Sequence, residues 1–271
     1  FTCISDNIRN QGIIYLMIFD YDNLEKNEDY LCEFSKNSVI QVNNLVDNSL
    51  CNDALEYFLK NESYLIEKYG KDKKGLVLDQ VSEKNLIKYF EYPLSENFKI
   101  FGPFVNNKII NLASKLLNDD VFLRSMEIHT RGPGSTEIPP HQDNGYYGLI
   151  NSNTLTFYIA LNSQLAEKGG LKYISNKIGL EYEHTSSDSK AFSLCISKNN
   201  LPNKNSIFKP NYSVGDCTIH HANSIHFAES VKMDNKSRSI VVRLSFFGVN
   251  PIIKDGHLDW YYKMLKANRN N

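Results

Sequence analysis

The stretch Pro139-Pro140-His141-Gln142-Asp143-Asn144-Gly145-Tyr146-Tyr147-Gly148-Leu149 places an imidazole and a carboxylate two positions apart, at His141 and Asp143. In an extended strand, residues i and i+2 project to the same face, so these two side chains converge there. One further His from a distant strand would complete a two-His-one-carboxylate set, the open-sided ligand set of non-haem Fe(II) oxygenases. The pair alone does not decide. The same residues also read as a turn in which Asp143 and Asn144 cap the backbone, and the motif needs structural context.

Working outward, the whole chain sets the frame. Its 271 residues suffice for a sizeable core in one large domain. With 30 Lys and Arg against 31 Asp and Glu, the net charge of −1 offers neither a nucleic-acid groove nor a polybasic membrane face. The longest apolar run near the start, 13–19, is too short to span a bilayer. Cys3, Cys32, Cys51, Cys195 and Cys217 are scattered and form no Cys-x-x-Cys pair. That pattern argues against a zinc ribbon or a disulfide framework, and favours a cytoplasmic or other reducing intracellular compartment.

Up to residue 120 the texture is mostly helical. Strands are expected at 13–20 and 38–43. A helix capped at Asn48 or Ser49 carries Leu50, Ala54, Leu55, Phe58 and Leu59 at helical spacing. A Lys-rich loop follows at 71–74, then a short helix over 82–89, and an amphipathic helix over 105–118. After residue 120 the pattern changes to short β-branched or aromatic runs at 121–130, 154–162, 170–175, 191–197, 217–221 and 239–248. Such spacing points to an antiparallel sandwich or barrel. A final short helix is expected over 259–266.

The strand-rich half contains a second histidine cluster, Gly215-Asp216-Cys217-Thr218-Ile219-His220-His221-Ala222-Asn223-Ser224-Ile225-His226. His226 opens a strand there. Arg238, twelve residues on, can return on the neighbouring antiparallel strand, where its guanidinium fork suits a bidentate bond to a carboxylate cosubstrate.

Five blocks then follow in an order that resembles the phytanoyl-CoA dioxygenase family. They are the His141-to-Tyr147 run, Thr154-Leu155-Thr156-Phe157-Tyr158-Ile159-Ala160-Leu161-Asn162, Gly169-Gly170-Leu171-Lys172-Tyr173, the Gly215-to-His226 run, and Arg238. Together they cover 125–248, and Asn44-Leu45-Val46-Asp47 is similar to the family's opening. The resemblance implies a mainly β fold with a helical N-terminal layer (1–120), a double-stranded β-helix (jelly roll, cupin-like) core (121–250) and a C-terminal tail (251–271), as one domain. It implies an Fe(II)/2-oxoglutarate-dependent dioxygenase with O₂ as second cosubstrate. His141, Asp143 and His226 would be the metal ligands, Arg238 would grip the far carboxylate of 2-oxoglutarate, Tyr158 would line the cosubstrate pocket, and His221 would support a ligand from behind.

Two departures from the family stand out. Phe227-Ala228 follows the distal His where the family has Gly-Ser or Gly-Ala, which removes a hydroxyl from the cosubstrate pocket. Ser175-Asn176-Lys177-Ile178 replaces a Pro-Gly-Ser-His turn. A ligating Asp143 argues against halogenation, because halogenases of this type carry a small residue there. The expected outcome is hydroxylation, cyclisation or desaturation of a small, carboxylate-bearing metabolite with release of succinate and CO₂. Asn144, Tyr146, Tyr147, Lys172, Arg131, Arg124 and His184 are the candidate substrate contacts. Two other readings use the same residues: a non-catalytic jelly-roll binding module and a zinc-dependent hydrolase.

Overall fold

The computed structural model describes residues 17–24, 26, 28–70, 75–79, 86–189, 193–202, 207–234, 237–260 and 263. The described strands are β1 (Ile18–Asp20), β2 (Val39–Asn43), β3 (Leu76–Asp79), β4 (Leu86–Phe90), β5 (Val121–Arg131), β6 (Ile138–His141), β7 (Thr154–Ala160), β8 (Lys172–Ile174), β9 (His184–Ser186), β10 (Leu194–Ile196), β11 (Ile207–Phe208), β12 (Cys217–His221), β13 (Ile225–Ala228) and β14 (Ser239–Gly248). Helices α1 (Asp29–Asn37), α2 (Asn48–Gly70) and α3 (Asn107–Leu117) precede the core strands. Eight strands form one sheet in the order β1-β2-β12-β7-β14-β5-β4-β3, and four form a second in the order β11-β8-β13-β6. The two sheets make the jelly-roll core, with the helices against the larger one. Among the described residues no helix is long and apolar enough to cross a membrane.

The period-2 alternation of three central strands sorts their side chains between helices and barrel interior. Leu155, Phe157 and Ile159 of β7, Cys217 and Ile219 of β12, and Ile240, Val242, Leu244 and Phe246 of β14 pack in one large cluster with Phe58, Leu65, Ile109 and Leu112 of the helices. Their alternates Tyr158, Ala160 and Val241 point the other way, into a second cluster with Tyr173, Phe208, Tyr212 and Ala228. The interior of the barrel is thus apolar at one end and polar at the other.

The N-terminal part is less purely helical than expected. β2 pairs with β12, and β4 pairs with β5, so residues before 120 extend both flanks of the large sheet. The expected helix over 82–89 is strand β4 where it is described; residues 81–85 lie outside the described residues. Ile87 and Phe90, three apart, are both buried. Helical spacing is mimicked by a bulge, since Tyr89 pairs Val77 while Ile87 pairs the next residue, Leu78. Residues 71–74 and most of 259–266 also lie outside the described residues, although 257–260 are helical. Cys32 is disulfide-bonded, which the reading of the scattered cysteines as fitting a reducing compartment does not anticipate; Cys51, Cys195 and Cys217 are free.

Gly215 begins the turn into β12 with φ of 82°. Its amide donates to the Ala160 carbonyl, and its own carbonyl accepts from Val46. A Cβ there would lie 2.1 Å from the Val46 oxygen. Gly215→Ala should therefore lower stability by about 3 kcal/mol, combining left-handed strain with a backbone clash. A urea melt within about 0.5 kcal/mol of wild type would contradict the argument.

Candidate metal centre

His141 ends β6, and in the β6–β13 ladder its direct cross-strand partner is His226. The strand does not continue to Asp143. That residue adopts φ −58° and ψ −32° and starts a helical turn, Asn144–Tyr147, which swings its carboxylate back toward the two imidazoles. One potential ligand atom from each of His141, Asp143 and His226 lies within 4.8 Å of the others. Asp143 Oδ1 is 3.9 Å from His141 Nε2 and 3.6 Å from His226 Nε2. All three side chains are buried.

The imidazoles are prepared as ligands by the main chain. His141 Nδ1 meets the Pro139 carbonyl at 2.8 Å, and His226 Nδ1 meets the Ser224 carbonyl at 3.1 Å. A carbonyl only accepts, so each ring carries its proton on Nδ1 and turns an Nε2 lone pair toward Asp143. Burial, then the neighbouring His226, lowers the His141 pKa to about 3. Burial lowers that of His226 to about 4. Two neutral imidazoles and one carboxylate oxygen converging on a point are a donor set that suits Fe(II).

The other carboxylate oxygen is held from behind. Arg243 Nη2 donates to Asp143 Oδ2 at 2.7 Å and to the Tyr147 hydroxyl at 3.1 Å, while Nη1 donates to Glu127 Oε2 at 3.0 Å. Thr156 Oγ1 donates to the same Asp143 oxygen at 3.3 Å. Burial, the largest single influence, would raise the Asp143 pKa, but Arg243, His220 and His226 together outweigh it and hold the carboxyl well below its usual range. His220 Nε2 lies 3.6 Å from Asp143 Oδ2, buried and, among the described residues, without a hydrogen-bond partner within bonding distance. Its Nδ1 meets the Tyr173 hydroxyl, which in turn meets Thr218 Oγ1.

Several expected site residues lie elsewhere, and strand alternation explains the two largest corrections. His221 shares the face of Cys217 and Ile219; its ring stands edge-on to Phe34, and its Nδ1 accepts from the Asn223 amide. His220 is the member of that pair that faces the candidate ligands, 3.6 Å from Asp143. Arg238 shares the parity of Ile240 and Val242, and it makes a two-pronged ion pair with Glu62 of α2 at 2.9 and 2.7 Å. It is committed to the helical layer, not to the barrel interior.

Asn144 is buried with its amide donating to the Leu149 carbonyl, Ser152 Oγ and Glu181 Oε1, so it holds the turn and not a ligand. Lys172 points away from the barrel to Glu229 at 2.9 Å. Tyr146 stands edge-on to the His141 ring, with its hydroxyl accepting from the Leu194 amide. His184 accepts from the Gln142 amide on the outer side of the same turn. A cavity of about 430 Å³ opens there, lined by Gln142, His184, Lys254, His257 and Trp260 among others, but by none of the three ligands. Tyr158 and Arg131 do reach the barrel interior. Arg243, His220 and Glu127 are site residues beyond those the sequence motifs name, and the alternation of strands β14, β12 and β5 is the sequence signal that points to them.

These buried neutral histidines carry a consequence for acid stability. His184 and His221 are also lowered to about 4, chiefly by burial. Each folded pKa lies below the unfolded value of about 6.5, so the unfolded chain binds more protons between these limits. The stabilisation is present above that range and is lost as pH falls through it. At pH 5 unfolding of the metal-free protein should take up about three to four protons from solvent onto His141, His184, His221 and His226. Urea midpoints that stay flat from pH 7 to 5 would contradict this.

A model of the family described as phytanoyl-CoA dioxygenase (PhyH) matches residues 38–239. The chain is 23% identical over 171 residues to a probable alpha-ketoglutarate-dependent hypophosphite dioxygenase of Stutzerimonas stutzeri, covering 60% of this chain and 59% of that protein, less than two thirds of the relative's length. Among solved structures it is similar to the epimerase SnoN from nogalamycin biosynthesis, in complex with Fe3+, alpha ketoglutarate and nogalamycin RO. The TM-score is 0.64 at 15% identity, covering 84% of this chain and 85% of that one. It is also similar to EctD from S. alaskensis with 2-oxoglutarate and 5-hydroxyectoine, with a TM-score of 0.62 at 14% identity and coverage of 84% and 78%. At these identities the structural likeness speaks for the fold.

Proposed function

Because the chain belongs to the phytanoyl-CoA dioxygenase family of iron- and 2-oxoglutarate-dependent enzymes, we propose that it oxidises a C–H bond of a small anionic metabolite, all described elements serving one catalytic unit. The observation that carries this reading is the convergence of His141 Nε2, Asp143 Oδ1 and His226 Nε2 inside the barrel. His141, Asp143 and His226 would hold the iron on one face and leave the opposite face to cosubstrates. Iron with 2-oxoglutarate and O₂ supplies oxidative decarboxylation to succinate and CO₂, coupled to removal of hydrogen from an unactivated C–H bond.

The chain's own residues do the rest. Pro139 and Ser224 carbonyls fix the two imidazoles as Nδ1–H tautomers. Arg243 and Thr156 hold the second oxygen of Asp143, so that it presents one oxygen forward. Tyr158 and the apolar end of the barrel exclude water from the cosubstrate side.

On the substrate side, β5 carries a bulge at Arg124, since Ser125 pairs Ser245 while Leu123 pairs the next residue, Phe246. Bulges re-aim side chains beside active sites. The guanidinium of Arg124 lies over the rings of Tyr147 and Phe247, at 4.8 and 5.6 Å. Tyr147 in turn touches Arg243, which touches Asp143. This exposed cation on the approach to the ligands supports an anionic substrate.

The test is anaerobic addition of Fe(II) and 2-oxoglutarate, followed by a metabolite screen for O₂-dependent succinate release. A visible charge-transfer band and a substrate that stimulates succinate formation are expected. Mass spectrometry then separates oxygen insertion from loss of two hydrogens. No band under conditions where a known oxygenase gives one would overturn the proposal.

A further inference from the structure

His220 stands beside the three candidate ligands with its Nε2 buried and, among the described residues, without a hydrogen-bond partner. Asp143 Oδ2, 3.6 Å away, is beyond bonding distance and already accepts from Arg243 and Thr156. The His220 ring centroid lies 4.7 Å from that of His226 and 5.4 Å from that of Tyr173. We infer that His220 donates a hydrogen bond from Nε2–H to the chelating carboxylate of 2-oxoglutarate, as a third imidazole that is a donor and not a metal ligand. This rests on the reading of His141, Asp143 and His226 as an iron site that takes 2-oxoglutarate.

The tautomer follows from counting protons along a buried chain of hydroxyls. The Tyr212 hydroxyl is 3.0 Å from Thr218 Oγ1, which is 2.9 Å from the Tyr173 hydroxyl, which is 3.2 Å from His220 Nδ1. All four side chains are buried. Three links join them, and each hydroxyl brings one proton. When Tyr212 donates to Thr218, Thr218 to Tyr173, and Tyr173 to Nδ1, every hydroxyl proton has an acceptor. A proton on Nδ1 would leave one hydroxyl proton in this chain without an acceptor, which is the costlier state in a buried pocket. Nδ1 is therefore the acceptor, and the ring carries its proton on Nε2.

Asp143 supports the same assignment, because its acceptor-only oxygen faces an N–H better than a lone pair. His141 and His226 have the opposite tautomer. Their Nδ1–H groups donate to the Pro139 and Ser224 carbonyls, which leaves their Nε2 lone pairs for a metal. Three buried imidazoles thus divide into two ligands and one donor by what each Nδ1 meets.

A buried N–H with no acceptor costs the metal-free fold free energy, and an arriving acceptor oxygen relieves that cost. A carboxylate suits it best, since it only accepts and forms a charge-assisted bond. A water held by a cation turns its protons outward and meets this N–H poorly. His220 therefore favours exchange of water for an oxoacid at the iron without adding a protein ligand.

Two measurements test this, and the first needs no metal. Long-range proton–nitrogen NMR spectra of the metal-free protein separate the tautomers of its seven histidines, with His220→Gln assigning the signal. His220 should be protonated on Nε2, and His141 and His226 on Nδ1. Tyr173→Phe should move His220 to a mixture of tautomers, an effect that packing alone would not produce. A wild-type His220 protonated on Nδ1 overturns the inference.

The second is anaerobic titration of the Fe(II) protein with 2-oxoglutarate and with 2-oxopentanoate, which shares the chelating end but lacks the distal carboxylate. His220→Phe should weaken both oxoacids alike, by about 10–100-fold, while Fe(II) binding changes less than about threefold. His220→Gln, whose amide keeps a donor, should recover most of the loss. Oxoacid affinities within about threefold of wild type in His220→Phe, or Fe(II) affinity falling alongside them, overturn the inference and leave the iron site standing. A wild type that binds Fe(II) but neither oxoacid overturns the cosubstrate reading together with it. Should His220→Phe not fold, a crystal structure of the wild-type holoprotein with 2-oxoglutarate decides. The chelating carboxylate within hydrogen-bond distance of His220 Nε2 is expected, and a carboxylate out of its reach overturns the assignment.

Discussion

Asp143→Ala is expected to leave a folded protein that retains no iron through desalting and forms succinate at least about 10³-fold more slowly. Asp143 supplies the only carboxylate among the three converging ligands. Removing it leaves two imidazoles that burial keeps neutral. A divalent cation there would meet no compensating negative charge, and it would also lose one of three donors. The fold should survive, because Arg243 keeps its ion pair with Glu127 and its bond to Tyr147. Asp143→Asn sharpens the argument, since it preserves shape and one acceptor oxygen but removes the charge. Iron content by mass spectrometry, circular-dichroism melting and succinate formation are the measurements. An Asp143→Ala protein that holds iron and turns over within tenfold of wild type would sink the ligand assignment.

How much of this was legible beforehand depended on which periodicity was followed through. The convergence of His141, Asp143 and His226 is legible from ligand chemistry, although Asp143 reaches it from a helical turn and not from the extended strand that the spacing implies. The switch from helical texture to short strands also located the jelly-roll core, from Val121–Arg131 to Ser239–Gly248. What strand texture alone does not give is which of a strand's two faces points inward. In Cys217-Thr218-Ile219-His220-His221, apolar Cys217 and Ile219 belong to the helix-facing cluster, and His221 must follow them. His220 then necessarily points inward. The same count along β14 sends Arg238 outward with Ile240 and Val242, and brings Arg243 inward. A bulge defeats such counting, which is why Ile87 and Phe90 imitated a helix. Nor does any local pattern state that Glu62, on a helix remote in sequence, waits for Arg238. That pairing belongs to tertiary packing.

Arg243→Met should cost about 3–5 kcal/mol of stability in the metal-free protein and weaken iron binding about 10–100-fold. Its guanidinium lies between two buried carboxylates, 2.7 Å from Asp143 and 3.0 Å from Glu127. Burial works to raise the pKa of Glu127, but Arg243, helped by His129, holds it well below the carboxylate range. With a methionine there, two like charges face each other without the guanidinium between them, and at least one must take up a proton or turn away. Asp143 then loses the bond that fixes its rear oxygen and points the other toward His141 and His226. Two effects are mixed in that single variant, and a second change separates them. Adding Glu127→Leu removes the stranded partner, so stability should return most of the way, because an apolar pair of similar volume replaces the ion pair. Iron affinity should not return, because nothing yet orients Asp143. If the double variant recovered both, Arg243 would be only a structural counter-ion. If Arg243→Met bound iron within twofold of wild type, it would have no positioning role at all. Arg243→Lys is the intermediate case, since it keeps the charge yet cannot span Asp143 and Glu127 with one rigid fork. It should fold close to normally while still binding iron several-fold more weakly than wild type.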